Sequence, residues 1–153
     1  LSPSYASARC WYSLLLSILG RFDEAVQEVG RALDLDPLSL AVLTTAGVVL
    51  YEARRYDQAL KRLEDAVEMD PGFALAQYHL GRILVGLGEF ERAIAPLEAA
   101  APAFDGALGA LGAAYARTGR RDKAAAVRRE LERRSGERYV GQLAHFMLHN
   151  GAQ

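Results

Sequence analysis

The feature that most constrains what this chain can fold into is a pattern that returns every 34 residues. The stretch Gly20 to Pro37, GRFDEAVQEVGRALDLDP, comes back as Arg54 to Pro71, RRYDQALKRLEDAVEMDP. Phe22, Tyr56 and Phe90 stand at that spacing, as do Ala25, Ala59 and Ala93, and then Ala32, Ala66 and Ala100. Asp36-Pro37 and Asp70-Pro71 close the first two units. A chain built this way grows in one dimension and each unit touches only its neighbours, so its 153 residues count repeats rather than the radius of one core.

Each period divides into two helical stretches. Ala6 to Leu19 carries Trp11, Leu14, Leu15, Ile18 and Leu19 as a broad apolar stripe and stops at Gly20. Asp23 to Leu35 follows, with Asp23 and Glu24 in the first turn, where carboxylates favour the free N–H groups, and Pro37 bars continuation. The second period runs from Leu40 to Phe73, and its Ala46-Gly47 is a small pair that lets one helix approach the other closely; Leu80-Gly81 and Leu111-Gly112 repeat the device. In the third period Pro96 falls inside the second helix, which predicts a kink or a cost of about 3 kcal/mol. Pro102 then ends that helix early. Ala124 follows Ala93 by 31 residues, so three have been lost, and Arg121 replaces the aromatic.

An aromatic, a small residue three on, another seven further and a closing Asp-Pro at this period resemble the tetratricopeptide repeat (TPR), a helix-turn-helix unit, over nearly the whole chain. The resemblance implies an all-α fold: a right-handed superhelical solenoid of helix-turn-helix repeats, four helix pairs plus a C-terminal capping helix. The repeats are placed at about 6–39, 40–73, 74–104 and 105–136, with the cap at about 137–149, in a single array over 1–153. Residues 1–5 read as the tail of a preceding repeat and Asn150-Gly151 as a further turn, so the array is expected to be cut at both ends and to self-associate through them. The run ERYVGQLAHFM, Glu137 to Met147, is similar to the last repeats of arrays appended to bacterial regulators with a winged-helix, kinase or cyclase domain, although Gln142 stands near the place of their usual proline.

Composition narrows the function. The apolar share of 51%, charged share of 24% and formal net charge of −1 give no global pull towards nucleic acid or anionic membrane. The longest nearly uncharged run, Cys10 to Gly20, is too short to span a bilayer, and the single cysteine excludes an internal disulfide framework. A cytoplasmic setting is the expectation. Charge is segregated all the same: Arg117 to Arg138 holds nine of the 18 basic residues and four acids. That run reads as a solvated outer helix, as a patch for an anionic partner or as one end of a head-to-tail association with the acidic half; Glu130 and Glu132 within it, and the scarcity of aromatics, favour the first over the second.

Chemistry is mostly declined. His145 and His149 have the spacing of a metal pair but no third ligand and no adjoining glutamate, so neither a metal nor any other cofactor is expected. Cys10 lacks the partners of a nucleophile, and Gly106, Gly109 and Gly112 lack the lysine and hydroxyl residue of a phosphate loop. No catalytic constellation assembles, so the chain is read as non-enzymatic.

In a solenoid of helix pairs the first helices line the concave side. Residues there not needed for packing are Ser7, Cys10, Leu14 and Ser17; then Ala41, Thr44, Val48, Tyr51 and Glu52; then Leu75, Tyr78, Arg82 and Val85; and finally Gly106, Gly109, Ala113, Ala116 and Arg117. Tyr51, Thr44, Val48, Tyr78, Arg82, Gly106, Gly109, Ala113 and Arg117 are the chosen partner-binding groove, suited to a helix or an extended apolar peptide. The bland alternative is that half of them pack between neighbouring first helices. Some family members hold a chaperone's C-terminal carboxylate with lysine and asparagine, but the matching places here carry Cys10, Leu14, Thr45, Leu75 and His79, so that clamp is absent. The reading is a protein-interaction module, part of a larger bacterial regulator. Its alternative is the regulatory fragment of a signalling enzyme or transcription factor whose active domain lies elsewhere.

Overall fold

The computed structural model describes residues 3–135. Among these are eight α-helices: α1 Pro3–Ile18, α2 Phe22–Leu35, α3 Leu40–Glu52, α4 Tyr56–Met69, α5 Ala74–Gly86, α6 Phe90–Ala100, α7 Asp105–Arg117 and α8 Arg121–Ser135. The capping helix expected at 137–149 lies outside the described residues. Helix α1 takes in Pro3 to Tyr5, three residues before the start read from the sequence; a proline in the first turn gives up no intrahelical bond. Helix α6 runs through Pro96 as one helix of 11 residues and stops before Pro102.

The chain divides into two compact units, Leu1–Leu80 and Gly81–Gln153, with the division inside α5. In the first unit α1 packs on α2 and α3, α2 on α3, and α3 on α4. Ala25, Ala32, Ala59 and Ala66 are fully buried, which is why the repeat holds them small. Leu16, Ala25, Val29, Ala46 and Val49 form one apolar cluster. Ala6, Cys10, Ala32 and Val42 form a second, and Leu43, Ala66 and Ala76 a third. Leu33 packs against all three.

The apolar stripe read on α1 needs correction. Its buried face is Ala6, Cys10, Ser13 and Leu16, whereas Trp11, Leu15, Ile18 and Leu19 are exposed. A helix apolar nearly all round does not declare which side faces the core. Ser13 carries the only polar side chain of that buried face, and its hydroxyl donates to the Cys10 carbonyl at 2.8 Å.

In the second unit α6 and α8 both pack on α7. Ala93, Leu97, Ala100, Ala107 and Ala114 are fully buried. At three places two helices meet closely over a glycine of the first. A Cβ on Gly81 would lie 2.4 Å from Leu97 Cγ and 3.3 Å from the Ala93 carbonyl, and one on Gly112 would lie 3.3 Å from Val127. In the first unit Gly47 meets Leu63 in the same way at 2.5 Å.

Each first helix ends in the same turn. The Arg21 N–H bonds the Leu16 carbonyl at 2.9 Å and the Gly20 N–H bonds Ser17 at 3.0 Å, the doubly bonded cap that needs a left-handed residue. Arg55 to Leu50, Glu89 to Leu84 and Arg120 to Tyr115 repeat it. The left-handed residues are Gly20 at φ 74°, Gly88 at 81° and Gly119 at 76°, but Arg54 at 59°. A side chain there costs about 1–2 kcal/mol, part of which glycine would give back as unfolded-state entropy.

Arg54→Gly is therefore expected to raise stability by about 0.5–1 kcal/mol, and Gly88→Ala to lower it by about 1 kcal/mol, as read from denaturant midpoints. Gly81→Ala should cost about 1–3 kcal/mol through overpacking. Combined with Leu97→Ala it should cost less than the two singly; strict additivity in that cycle would show that the contact does not set the helix spacing.

Candidate functional site

The chosen first-helix residues divide between the two units. In the first, α3 presents Val48 and Tyr51, both half-buried, and α5 presents Tyr78, also half-buried. The Tyr51 ring lies 5.6 Å from that of Tyr56 at the start of α4, a tilted aromatic contact that fixes the angle of the Tyr51 side chain. The Tyr78 ring lies 5.2 Å from His79. Thr44 does not join them. It is 2% exposed and its hydroxyl donates to the Leu40 carbonyl at 2.7 Å, so it is withdrawn from the lining and belongs to the core. Cys10, one period earlier, is buried as well, and burial pushes its thiol above the ordinary range, with a hydrogen bond to Thr45 acting the other way. Cys10 packs in one cluster with Val42 of α3, a packing position of the kind that the bland alternative anticipated.

In the second unit Arg82, Gly109 and Ala113 are half-buried, while Gly106 and Arg117 are exposed. The Arg82 Nε lies out of solvent without a hydrogen-bond partner. Arg117 is already engaged: its guanidinium carbon stands 5.0 Å from the centre of the Phe90 ring. Such a contact leaves the edge N–H groups able to donate. Gly109 differs from the packing glycines, because a Cβ added to it meets nothing within 4 Å.

Part of the basic run is paired with neighbouring carboxylates. Glu130 accepts from Arg133 and from Arg134, each at 2.7 Å, and these bonds hold its carboxyl down to about 2. It therefore stays ionised through the mildly acidic range. Arg134 also donates to the Ala101 carbonyl at 2.9 Å, and Arg120 pairs with Glu91 at 2.8 Å. The Tyr115 hydroxyl donates to Glu98, and burial followed by that carboxylate raises its pKa to about 12. Lys123 lies 5.1 Å over the same ring.

Two features escaped the sequence reading. One is the exposed apolar side of α1. The other is an open cleft of about 260 Å³ between α2 and α4, floored by Val26, Val29 and Leu33 and rimmed by Gln58, Lys61 and Arg62. The signal for the cleft was Gly30, which stands where the period puts Glu64 and Glu98. Among the described residues no three His, Cys, Asp or Glu side chains gather as a metal site would need, and His145 and His149 lie outside them. No described helix is long and apolar enough to cross a membrane.

Tetratricopeptide-repeat models match residues 6–37, 44–107 and 107–138. The chain belongs to the tetratricopeptide repeat family. Its all-helical, helix-pair architecture is also that of several solved TPR structures. The MamA RS-1 double mutant shares 20% identity at a TM-score of 0.76, over 97% of this chain and 86% of that one. The first TPR of Spaghetti (RPAP3), bound to the HSP90 peptide SRMEEVD, shares 17% at 0.69, over 78% and 97%. A mutant O-GlcNAc transferase of Thermobaculum terrenum shares 28% at 0.64, over 73% of this chain but only 22% of the enzyme. No match was found among curated proteins at the level of sequence. TPR folds are in general scaffolds for protein interaction, and this chain is one of them.

Substituting Gly109 by alanine should raise stability by about 0.5–1 kcal/mol, because the new methyl meets open space while the helix gains propensity. A fall in the unfolding midpoint would mean that α7 is more tightly packed at that point than its surroundings show.

Proposed function

We propose that this TPR array is a non-catalytic module that binds a peptide or helix along its first helices, through Val48, Tyr51 and Tyr78 in the first unit and Arg82, Gly106, Gly109, Ala113 and Arg117 in the second. The observation that carries this reading is Gly109. Gly47, Gly81 and Gly112 are each met by a side chain of the second helix, which accounts for them structurally, whereas Gly109 and, on α2 away from the proposed face, Gly30 are not. Gly109 faces open space in mid-helix, where glycine costs about 1 kcal/mol against alanine, and a partner backbone approaching closely would account for that cost. The peptide held by the Spaghetti TPR supports a peptide as the class of partner. Its carboxylate-terminated sequence is not the expected one, since Cys10 is buried and Thr45 spends its hydroxyl on the Ala41 carbonyl at 2.8 Å.

The array is read as part of a larger bacterial regulator, from the likeness of Glu137 to Met147 to regulator arrays. The alternative, a regulatory fragment of a signalling enzyme or transcription factor, is supported by the transferase, in which the matched array is a minor part of an enzyme chain. Peptides recovered by capture on the 153-residue chain would be titrated against variants. Gly109→Leu should weaken binding at least tenfold, about 1.4 kcal/mol, without lowering the unfolding midpoint, and Tyr78→Ala and Arg82→Ala should do likewise. Undiminished binding by Gly109→Leu, or its unfolding, would remove α7 from the binding face.

A further inference from the structure

We infer that the cleft between α2 and α4 is a second docking site, which receives one aromatic side chain of an acidic peptide segment. Its walls come from α2, α3 and α4, with Val26, Val29, Leu33 and Leu50 as the apolar floor, so its opening owes nothing to either end of the chain. The second unit shows what the corresponding place holds when it is filled. Phe22 and Phe90 open α2 and α6, Leu40 and Asp105 open α3 and α7, and Tyr56 and Arg121 open α4 and α8. Counted from those starts, Glu98, Tyr115 and Lys123 stand where the first unit has Gly30, Leu50 and Gln58. The Tyr115 ring is buried, its hydroxyl donates to Glu98 of α6, and the Lys123 ammonium of α8 stands 5.1 Å over the ring. In the first unit the ring is replaced by a leucine and the carboxylate beside it by a hydrogen, and a cleft of about 260 Å³ opens there.

The occupant follows from size and charge. An apolar cavity of about 150 Å³ holds a benzene ring, so this cleft has room for a phenyl or indole side chain, while it falls short of the roughly 300–1,000 Å³ of pockets that enclose a whole small molecule. A ring of that kind is delivered by a chain that adds contacts around it, as aromatic anchors in pockets are. The rim is Gln58, Lys61 and Arg62, and no carboxylate lines the cleft. Lys61 donates to Asp65 at 3.0 Å and Arg62 stands 3.7 Å from the same carboxylate, so two cations share one acid and both keep N–H groups to donate. With glycine at position 30 the carboxylate that the tyrosine hydroxyl uses in the second unit is gone, so the site suits phenylalanine or tryptophan flanked by acids. Gly30 itself is unfavourable in mid-helix and no internal contact requires it, because a Cβ there meets nothing within 4 Å. None of these residues belongs to the proposed groove on the first helices, so the site stands or falls independently of it.

The probe is an end-blocked peptide of phenylalanine between two pairs of glutamates, titrated into the isotopically labelled 153-residue chain while the backbone amide resonances are followed. The controls are the same peptide with alanine for phenylalanine, the same peptide with lysines for the glutamates, and free 3-phenylpropionate. The amides of Val26, Gly30 and Gln58 should shift saturably with a dissociation constant below about 1 mM, and every control should bind at least tenfold more weakly. Gly30→Glu, which supplies the residue the later repeats carry, should weaken the peptide at least tenfold without lowering the unfolding midpoint, since its side chain starts in open space. Lys61→Glu, at a side chain 74% exposed, should act in the same direction with the helical circular dichroism unchanged. Tyr78→Ala, on the proposed groove, should leave these shifts as they are. A phenylalanine peptide that binds no better than its alanine control overturns the inference, as does equal binding of the lysine peptide or undiminished binding by Gly30→Glu. Free 3-phenylpropionate binding as tightly as the peptide overturns it too, since the cleft would then be a small-molecule site, and loss of the shifts in Tyr78→Ala would put the peptide in the groove instead.

Discussion

The fit of a second-helix side chain against a first-helix glycine is the constraint on which the rest of the structure depends. Gly47 with Leu63 and Gly81 with Leu97 leave no room for a methyl group, so the two helices of a pair sit as close as backbone and a leucine allow. Leu63 and Leu97 are fully buried by that approach, and the alanines one turn or two away, Ala59, Ala66, Ala93 and Ala100, must be small for the same reason. The volume shifts between members of the pair. In the first repeat the period puts Ser13 at the glycine place and Val29 at the leucine place, a larger residue opposite a smaller one. Both are buried, and the serine meets its hydrogen-bonding need locally at the Cys10 carbonyl.

Close packing of this kind demands a turn that reverses the chain without lengthening it. Four turns use one device, two backbone bonds closed over a left-handed residue, and three of the four supply glycine. The boundary between repeats works differently. Asp36 and Asp70 end their helices, Asp70 in extended geometry, and Asp70 accepts the Gly72 N–H at 2.8 Å through its side chain. Each following proline then prevents continuation. The third boundary lacks this Asp-Pro, and there the Ala103 and Phe104 N–H groups turn back onto the Ala100 carbonyl, so three fewer residues suffice.

These features explain what could be read beforehand. Period, helix count, small pairs and stop signals are local in sequence, and each is enforced by a contact between residues a fixed distance apart. The face that α1 buries was not legible, because Trp11, Leu15, Ile18 and Leu19 are as apolar as Leu16, and only the placement of α2 and α3 chooses between them. Thr44 was misplaced for a related reason. Cys10, Thr44, Tyr78 and Gly109 occupy one place in the repeat, but the period cannot say which of them is covered by an adjoining first helix. In the first unit Cys10 and Thr44 are buried, whereas Tyr78 is half-buried. Within the first unit the lining is thus shorter than spacing predicts and aromatic, on α3 and α5; within the second, α7 carries almost no side chain at Gly106, Gly109 and Ala113.

The fourth repeat shows how far the pattern tolerates substitution. Arg121 takes the place of Phe22, Tyr56 and Phe90, yet the first two of those aromatics are each 39% exposed, so the position is half-open and a long charged side chain can occupy it. The conspicuous charge of α8 follows the same logic. Its ion pairs are exposed, and pairs of that kind contribute little to stability, so Glu130 and Glu132 act mainly to cancel the field of the arginines beside them. A basic stretch interleaved and paired with carboxylates is less suited to a polyanion, which would have to displace those carboxylates as well as counterions. That directs the search for the groove's partner away from α8 and towards the nearly uncharged surfaces of the first helices.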